Sequence, residues 1–146
     1  MTASNPQPDL IHASCISLSG RAALIVGPSG SGKSSLALHL ISLGAGLVAD
    51  DRTILTRKGE ALIASAPETI TGMIEARGVG ILRLEPAPAA PVHLVIDLGH
   101  KTEARLPERR EYRLGDFTFP CLSAASGPHF PAAILLYLRS HLGEPT

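Results

Sequence analysis

The expected fold is a single α/β domain, and three features of the chain predict it. A glycine-rich loop, residues 27–32, lies between a β-rich run and a stretch with leucines at helical spacing. Short β-rich runs separated by turn residues fill most of the remainder. A second helical pattern closes the chain. The 146 residues give room for one core, and a domain of that size buries about two-thirds of the surface its unfolded chain exposes.

Residues 1–10 are polar and read as a flexible arm, with residues 11–146 forming the domain. Residues 14–18 and 21–26 are β-rich runs joined at Ser19-Gly20, a hairpin turn. Residues 34–43 read as a helix, with Leu36, Leu40 and Leu43 at helical spacing beside Ala37 and Ile41, and Gly44 and Gly46 at its end. Residues 47–49 form an apolar strand ending on Asp50-Asp51. Its place straight after the helix puts it near the strand that enters the loop. Residues 53–56 and 61–64 flank Lys58-Gly59 as a second hairpin. Residues 65–80, punctuated by Gly and Pro, read mostly as loop, with a strand over 80–84. Residues 85–91 (EPAPAAP) are a stiff connector, too short to separate domains. Residues 92–98 read as a central strand that ends at Asp97. Residues 100–113 carry many charges and read as an exposed, mobile segment. Residues 117–119 read as an edge strand stopped by Pro120. In the last helix, residues 132–142, Pro131 suits the first position. Arg139 and His141 sit in the last turn and Gly143 follows.

Composition excludes several classes. Apolar residues are 45% and charged residues 18%, which excludes a disordered tail or a charged coiled coil. Thirteen basic residues balance thirteen acidic ones, so no basic excess points to nucleic acid. Aromatics at 3%, without Trp, leave few platforms for stacking bases. The longest apolar run, residues 132–138, falls far short of the ~20 residues of a membrane span. Cys15 and Cys121 are far apart, belong to no CxxC, and read as buried or free thiols of a reducing cytosol. The first ten residues lack the pattern of a signal peptide. A neutral, apolar chain also suits burial of some surface in a homo-oligomer.

Gly27, Pro28, Ser29, Gly30, Ser31, Gly32, Lys33 and Ser34 spell GxxxxGK[ST], the P-loop, with a strand before it and a helix after it. Glycines let backbone N–H groups turn inward around phosphate oxygens, and the helix N-terminus adds partial positive charge. Lys33 can reach the outer phosphates and the Ser34 hydroxyl can ligate Mg²⁺. Ser35 continues the loop's polar edge. A nucleotide, ATP, with Mg²⁺ is the implied ligand. A partner carboxylate is needed, and two places offer one: Asp50-Asp51 and Asp97, each closing an apolar run. Residue types alone leave both open. Glu75 and Arg77, in EARGVG, add a carboxylate and a guanidinium in a flexible segment, suited to metal and phosphoryl charge or to an ordinary surface ion pair.

Taken together, GPSGSGKSSLALHLI, LVADD and IEARGVGI, with His12 ahead of the first hairpin, resemble the catalytic domain of the HPr kinase/phosphorylase family over about residues 12–82. The chain looks like a short form without that family's separate N-terminal domain. The resemblance implies a P-loop α/β domain akin to phosphoenolpyruvate carboxykinase, assembled as a hexamer in the cytoplasm. It implies ATP-dependent phosphorylation of a serine on HPr or an HPr-like phosphocarrier protein. His12 falls on the family's active-site His, and Lys33 and Ser34 fall on the P-loop Lys and the Mg²⁺-ligating Ser. Asp51 falls on the residue that takes the serine proton, and Glu75 on a further Mg²⁺ ligand, with Asp50 grouped beside them. Arg77 supports the phosphates, and Arg105 falls near a further family arginine. Asp97 then drops to a structural strand end. EARG stands where the family has EIRG, a small apolar change. The family's Pro- and Arg-containing block has no counterpart, because residues 120–128 carry no Arg. The reverse reaction, phosphorolysis, is therefore left without its expected residues. Two other readings share the P-loop: a kinase of a small metabolite, and a nucleotide-sensing module that transfers nothing.

Overall fold

The computed structural model describes residues 9–140. Within them run β1 (Asp9–Ile11), β2 (Ser14–Leu18), β3 (Arg21–Val26), α1 (Lys33–Ser42), β4 (Gly46–Ala49), β5 (Thr53–Lys58) and β6 (Ala61–Ser65). A 3-10 turn, Glu68–Ile70, precedes β7 (Met73–Ala76) and β8 (Gly80–Arg83). The chain continues through β9 (Ala90–Thr102), β10 (Arg110–Leu114), β11 (Phe117–Ala125) and α2 (Phe130–Ser140).

One mixed sheet runs in the order β1-β5-β6-β9-β3-β2-β4, with β11 also on β9 and β10 on β11. The centre is parallel: β3, β9 and β11 point the same way. One edge of β9 serves two partners in turn. Its first residues, Ala90 and Pro91, pair with β6, and Val95 onward pairs with β11. The β2–β3 turn lies at Ser19-Gly20, both with positive φ (54° and 77°), the primed geometry that matches the twist of a hairpin. The β5–β6 hairpin also forms, with its strands extended to Lys58 and Ser65.

Side chains alternate across the sheet, so β3 feeds two cores. Ala23 and Ile25 face α1 and α2, packing with Leu40, Leu94, Ile96, Ile134 and Leu138. Ala22, Leu24 and Val26 face the other way into a cluster made by strands and their connections, including Leu55, Leu62, Val95 and Phe119. The sheet therefore covers that face with its own outer strands. The Arg21 guanidinium donates to the carbonyls of Leu138 (3.0 Å) and Arg139 (3.4 Å), tying the end of α2 to the start of β3.

Several expectations are corrected. Residues 65–80 hold more than the expected loop, since a 3-10 turn and β7 form there. Ile74 is buried among the helix-facing residues while Glu75 points out, a two-residue alternation hidden between glycines. The strand β4 is not beside β3, because β2 lies between them. The central strand does not end at Asp97 but runs on to Thr102. Residues 100–113 are not one mobile segment: His100–Thr102 belong to β9, Arg110 begins β10, and only 103–109 lie outside a strand. Pro120 does not stop β11. The ladder with β9 starts only at Cys121, so at Pro120 one edge of the strand is still unpaired and the missing N–H is tolerated. The helix α1 starts one residue earlier, at Lys33, and Asp9–Leu10 of the expected arm pair with β5. His141, Leu142 and Gly143 lie outside the described residues, as do residues 1–8. Cys15 and Cys121 are buried free thiols, and burial pushes both above their ordinary range. No helix among the described residues is long and apolar enough to cross a membrane.

Candidate active site

The P-loop follows the C-terminal end of β3, where ligands gather in open α/β sheets. Gly27, Gly30 and Gly32 all have positive φ (150°, 82° and 99°), which only glycine adopts without strain. Gly32 caps α1 with no side-chain hydrogen bond, so the first-turn N–H groups stay available. Lys33 is buried (8% exposed), and its Nζ donates to the carbonyls of Gly27 (2.9 Å) and Pro28 (3.2 Å). The Ser31 hydroxyl is buried inside the loop without a partner. Free first-turn amides, a buried ammonium and an orphaned hydroxyl suit a bound polyphosphate.

Asp50 organises the acidic side. It is buried (7% exposed) at the end of β4. Its Oδ1 accepts from the hydroxyls of Ser14 (2.9 Å) and Ser34 (2.6 Å), and its Oδ2 accepts from the Glu75 N–H (3.1 Å). One carboxylate thus ties β2, α1 and β7 together. Among the described residues it has no ion pair. Asp51 is exposed and sits at the centre of a γ-turn, with φ 68° and a bond from the Arg52 N–H to the Asp50 carbonyl (2.7 Å). Its own N–H donates to the Ser14 hydroxyl at 3.1 Å. Such backbone strain gathers at functional sites, and here Ser14 and Asp50 hold it in place.

Two neighbouring cavities result. One, of about 190 Å³, is lined by Ser29, Gly30, Gly32, Lys33, Ser34, Ser35, Asp51, Glu75 and Arg77. Nine residues singled out from the sequence therefore meet in one cleft. The other, of about 320 Å³, shares Asp51 and Glu75 and adds Asp50, Arg52 and an apolar wall of Ile70, Met73, Ile74 and Ile81. His12 lies at the exposed joint between β1 and β2, and Arg105 lies in the exposed stretch 103–109. Neither lines either of these two cavities. Ser14 was not found from the sequence, and no local signal marks it, because strand pairing alone brings it to Asp50.

The donor set fits a divalent cation in part. Ser34 and Glu75 share the cleft, and no cluster of three His, Cys, Asp or Glu with metal-holding geometry exists among the described residues. Mg²⁺ held by one or two protein oxygens, with phosphate and water completing its shell, needs no such cluster.

A mixed α/β sheet with a P-loop at its parallel centre and an acidic γ-turn opposite defines a P-loop α/β domain. Residues 6–109 match the family model described as HPr Serine kinase C-terminal domain, and the chain belongs to that family. An HPr kinase/phosphorylase of Geobacillus thermodenitrificans is 39% identical over 113 residues, covering 72% of this chain and 35% of the relative. That of Chloroherpeton thalassium is 47% identical over 75 residues, covering 51% and 22%. The solved Hpr(Ser) kinase/phosphatase from Coxiella burnetii superposes with a TM-score of 0.74 at 25% identity, over 91% of this chain and 90% of that one. The chain spans between about a fifth and a third of the length of the curated relatives it matches.

Proposed function

We propose that this chain carries the catalytic site of an ATP-dependent serine kinase whose acceptor is HPr or an HPr-like phosphocarrier protein. The observation that carries this reading is that Asp51 and Glu75 open onto the same cleft as Lys33 and Ser34. The first-turn amides of α1 and the Lys33 ammonium bind the outer phosphates, Lys33 leaving its loop carbonyls to do so. Ser34 and Glu75 hold Mg²⁺, with Asp50 keeping the Ser34 hydroxyl in place. When bound, the cation would neutralise charge on the transferring phosphoryl group. Arg77 adds positive charge on the same cleft wall.

Asp51 accepts the proton of the acceptor hydroxyl. Its γ-turn aims the carboxylate outward, and it borders both cavities. The second cavity, with its apolar wall, suits a serine whose neighbours on a protein segment are apolar. His12 and Arg105, outside both cavities, would act on the phosphates only after segment movement. Assembly as a homo-hexamer and residence in the cytoplasm belong to the same proposal, and light scattering checks the first.

The test is incubation with Mg·ATP and the host's HPr-like protein, followed by mass spectrometry for phosphoserine. Transfer to one serine is expected. ATP binding without transfer would overturn the kinase reading and leave a nucleotide-sensing module. A phosphoserine-loaded carrier with inorganic phosphate, in the same assay, probes phosphorolysis.

A further inference from the structure

On the far flank of the P-loop lies a second polar cluster that the proposed mechanism does not use. The Arg110 guanidinium on β10 donates through Nη2 to Asp97 Oδ2 (3.3 Å) and through Nη1 to the Ser123 hydroxyl on β11 (2.9 Å). The His100 ring nitrogen Nδ1 is 2.8 Å from the same hydroxyl. Asp97 Oδ1 accepts from the Gly99 N–H at 2.9 Å, which fixes the course of β9 just past the level of Val26.

That course runs directly under the loop. A Cβ added to Gly99 would stand 3.2 Å from Asp97 Oδ1 and 3.3 Å from Pro28 Cδ. A Cβ added to Gly27 would stand 3.2 Å from Leu98 Cβ and 3.3 Å from the Gly99 nitrogen. Gly27 and Pro28 are the residues whose carbonyls hold Lys33. A line of neighbours therefore runs from Arg110 to Asp97, to Gly99, to the Gly27-Pro28 step, which leaves barely room for a methyl group above Gly99, and to the Lys33 ammonium.

We propose that Asp97 and Arg110 are positioning residues for the P-loop, setting the height of the Gly27-Pro28 step and with it the place of Lys33 against a bound polyphosphate. The inference rests on the nucleotide reading of the loop. Asp97 is not a metal ligand in it: Arg110 cancels its charge, and both its oxygens are engaged. The fork matters as much as the charge, because one guanidinium spans Asp97 and Ser123 with separate nitrogens. Arg110 thereby couples the β10–β11 hairpin to the loop.

The test is titration with a fluorescent ATP analogue alongside thermal melting. Binding by the wild-type chain comes first, and its absence would overturn the nucleotide reading and this inference with it. Asp97→Asn and Arg110→Gln are each expected to weaken binding about tenfold, the scale of losses from positioning partners, while the chain stays folded. The double variant is expected to lose no more than either single one, because the two act through one path. Arg110→Lys, which keeps charge but cannot span both partners, is expected to fall between. Wild-type affinity in the folded single variants, or additive losses in the double, would overturn the proposal. Should either variant fail to fold, Gly99→Ala carries the test, since its backbone accepts a side chain and only Pro28 and Asp97 are pressed. Weaker binding supports the path, and unchanged binding breaks it.

Discussion

Two aspartates stand where apolar runs end, one just past β4 and one within β9, on opposite flanks of the same loop, and their surroundings differ. Asp50 is held by two hydroxyls and one backbone N–H, all neutral. Asp97 is held by one backbone N–H and by the Arg110 guanidinium at 3.3 Å. Neutral donors satisfy the lone pairs of a carboxylate and leave its charge in place, whereas a guanidinium cancels it. The Asp50 flank therefore keeps a negative field beside Ser34 and Glu75, where a cation would help. The Asp97 flank is balanced and has a mechanical part instead. Residue type alone does not separate the two, but their partners do.

The largest expected effect breaks the acidic flank at its exposed end. Asp51→Asn should lower phosphoryl transfer about 10²- to 10⁴-fold, the usual contribution of a positioned base, while nucleotide binding persists. Single-turnover measurement checks this, and unchanged turnover would remove Asp51 from its role.

Asp50→Asn comes next. The amide keeps only one of the two acceptor oxygens, so either the Glu75 N–H or the Ser14 and Ser34 hydroxyls lose their buried acceptor, costing about 1–3 kcal/mol in denaturant unfolding. It should also raise the Mg²⁺ concentration needed for half-maximal transfer. With nucleotide saturating, Asp97→Asn should leave that concentration unmoved, and equal shifts in the two would erase the contrast between the flanks.

Gly27→Ala tests the loop where it rests on the Asp97 side. The new Cβ would stand 2.7 Å from the Ser31 hydroxyl and press Leu98 and Gly99. About a tenfold loss of nucleotide affinity is expected by calorimetric titration, the scale of a loop shifted by less than an ångström.

The smallest effect lies at the other end of β9, away from both flanks. His93 is half-buried, and desolvation, with Arg21 nearby, lowers its pKa below the ordinary value. The unfolded chain then binds a proton that the folded chain resists. Stability contributed by neutral His93 is complete above the unfolded pKa of about 6.5 and declines as pH falls below it. Melting at pH 7.5 and 5.5 should show a drop that His93→Gln reduces, by a degree or two given the group's partial exposure. An equal drop in both would remove His93 from the pH response.

The P-loop, α1 and the β2–β3 hairpin were legible because each depends on neighbours in sequence. Glycines permit positive φ where they stand, leucines recur at helical spacing, and Ser19-Gly20 makes a turn by itself. The acidic pair was legible as chemistry, and Glu75 and Arg77 as charge in a glycine segment. The strand carrying Glu75 was not, since four alternating residues among glycines are too short a pattern. The full lengths of β9 and β11 were also hidden, because polar residues in β9 and Pro120 in β11 stay in a strand only where a partner supplies the ladder.

By itself, the chain determined a P-loop α/β domain, its first helix, and the residue types that one cleft would need, because these rest on local backbone freedom and spacing. Tertiary structure decided which aspartate faces which partner. Ser14 and Glu75 reach Asp50 from 36 and 25 residues away, and Arg110 reaches Asp97 across 13. Such meetings are set by strand order and register, and strand order follows from which faces of the sheet bury together.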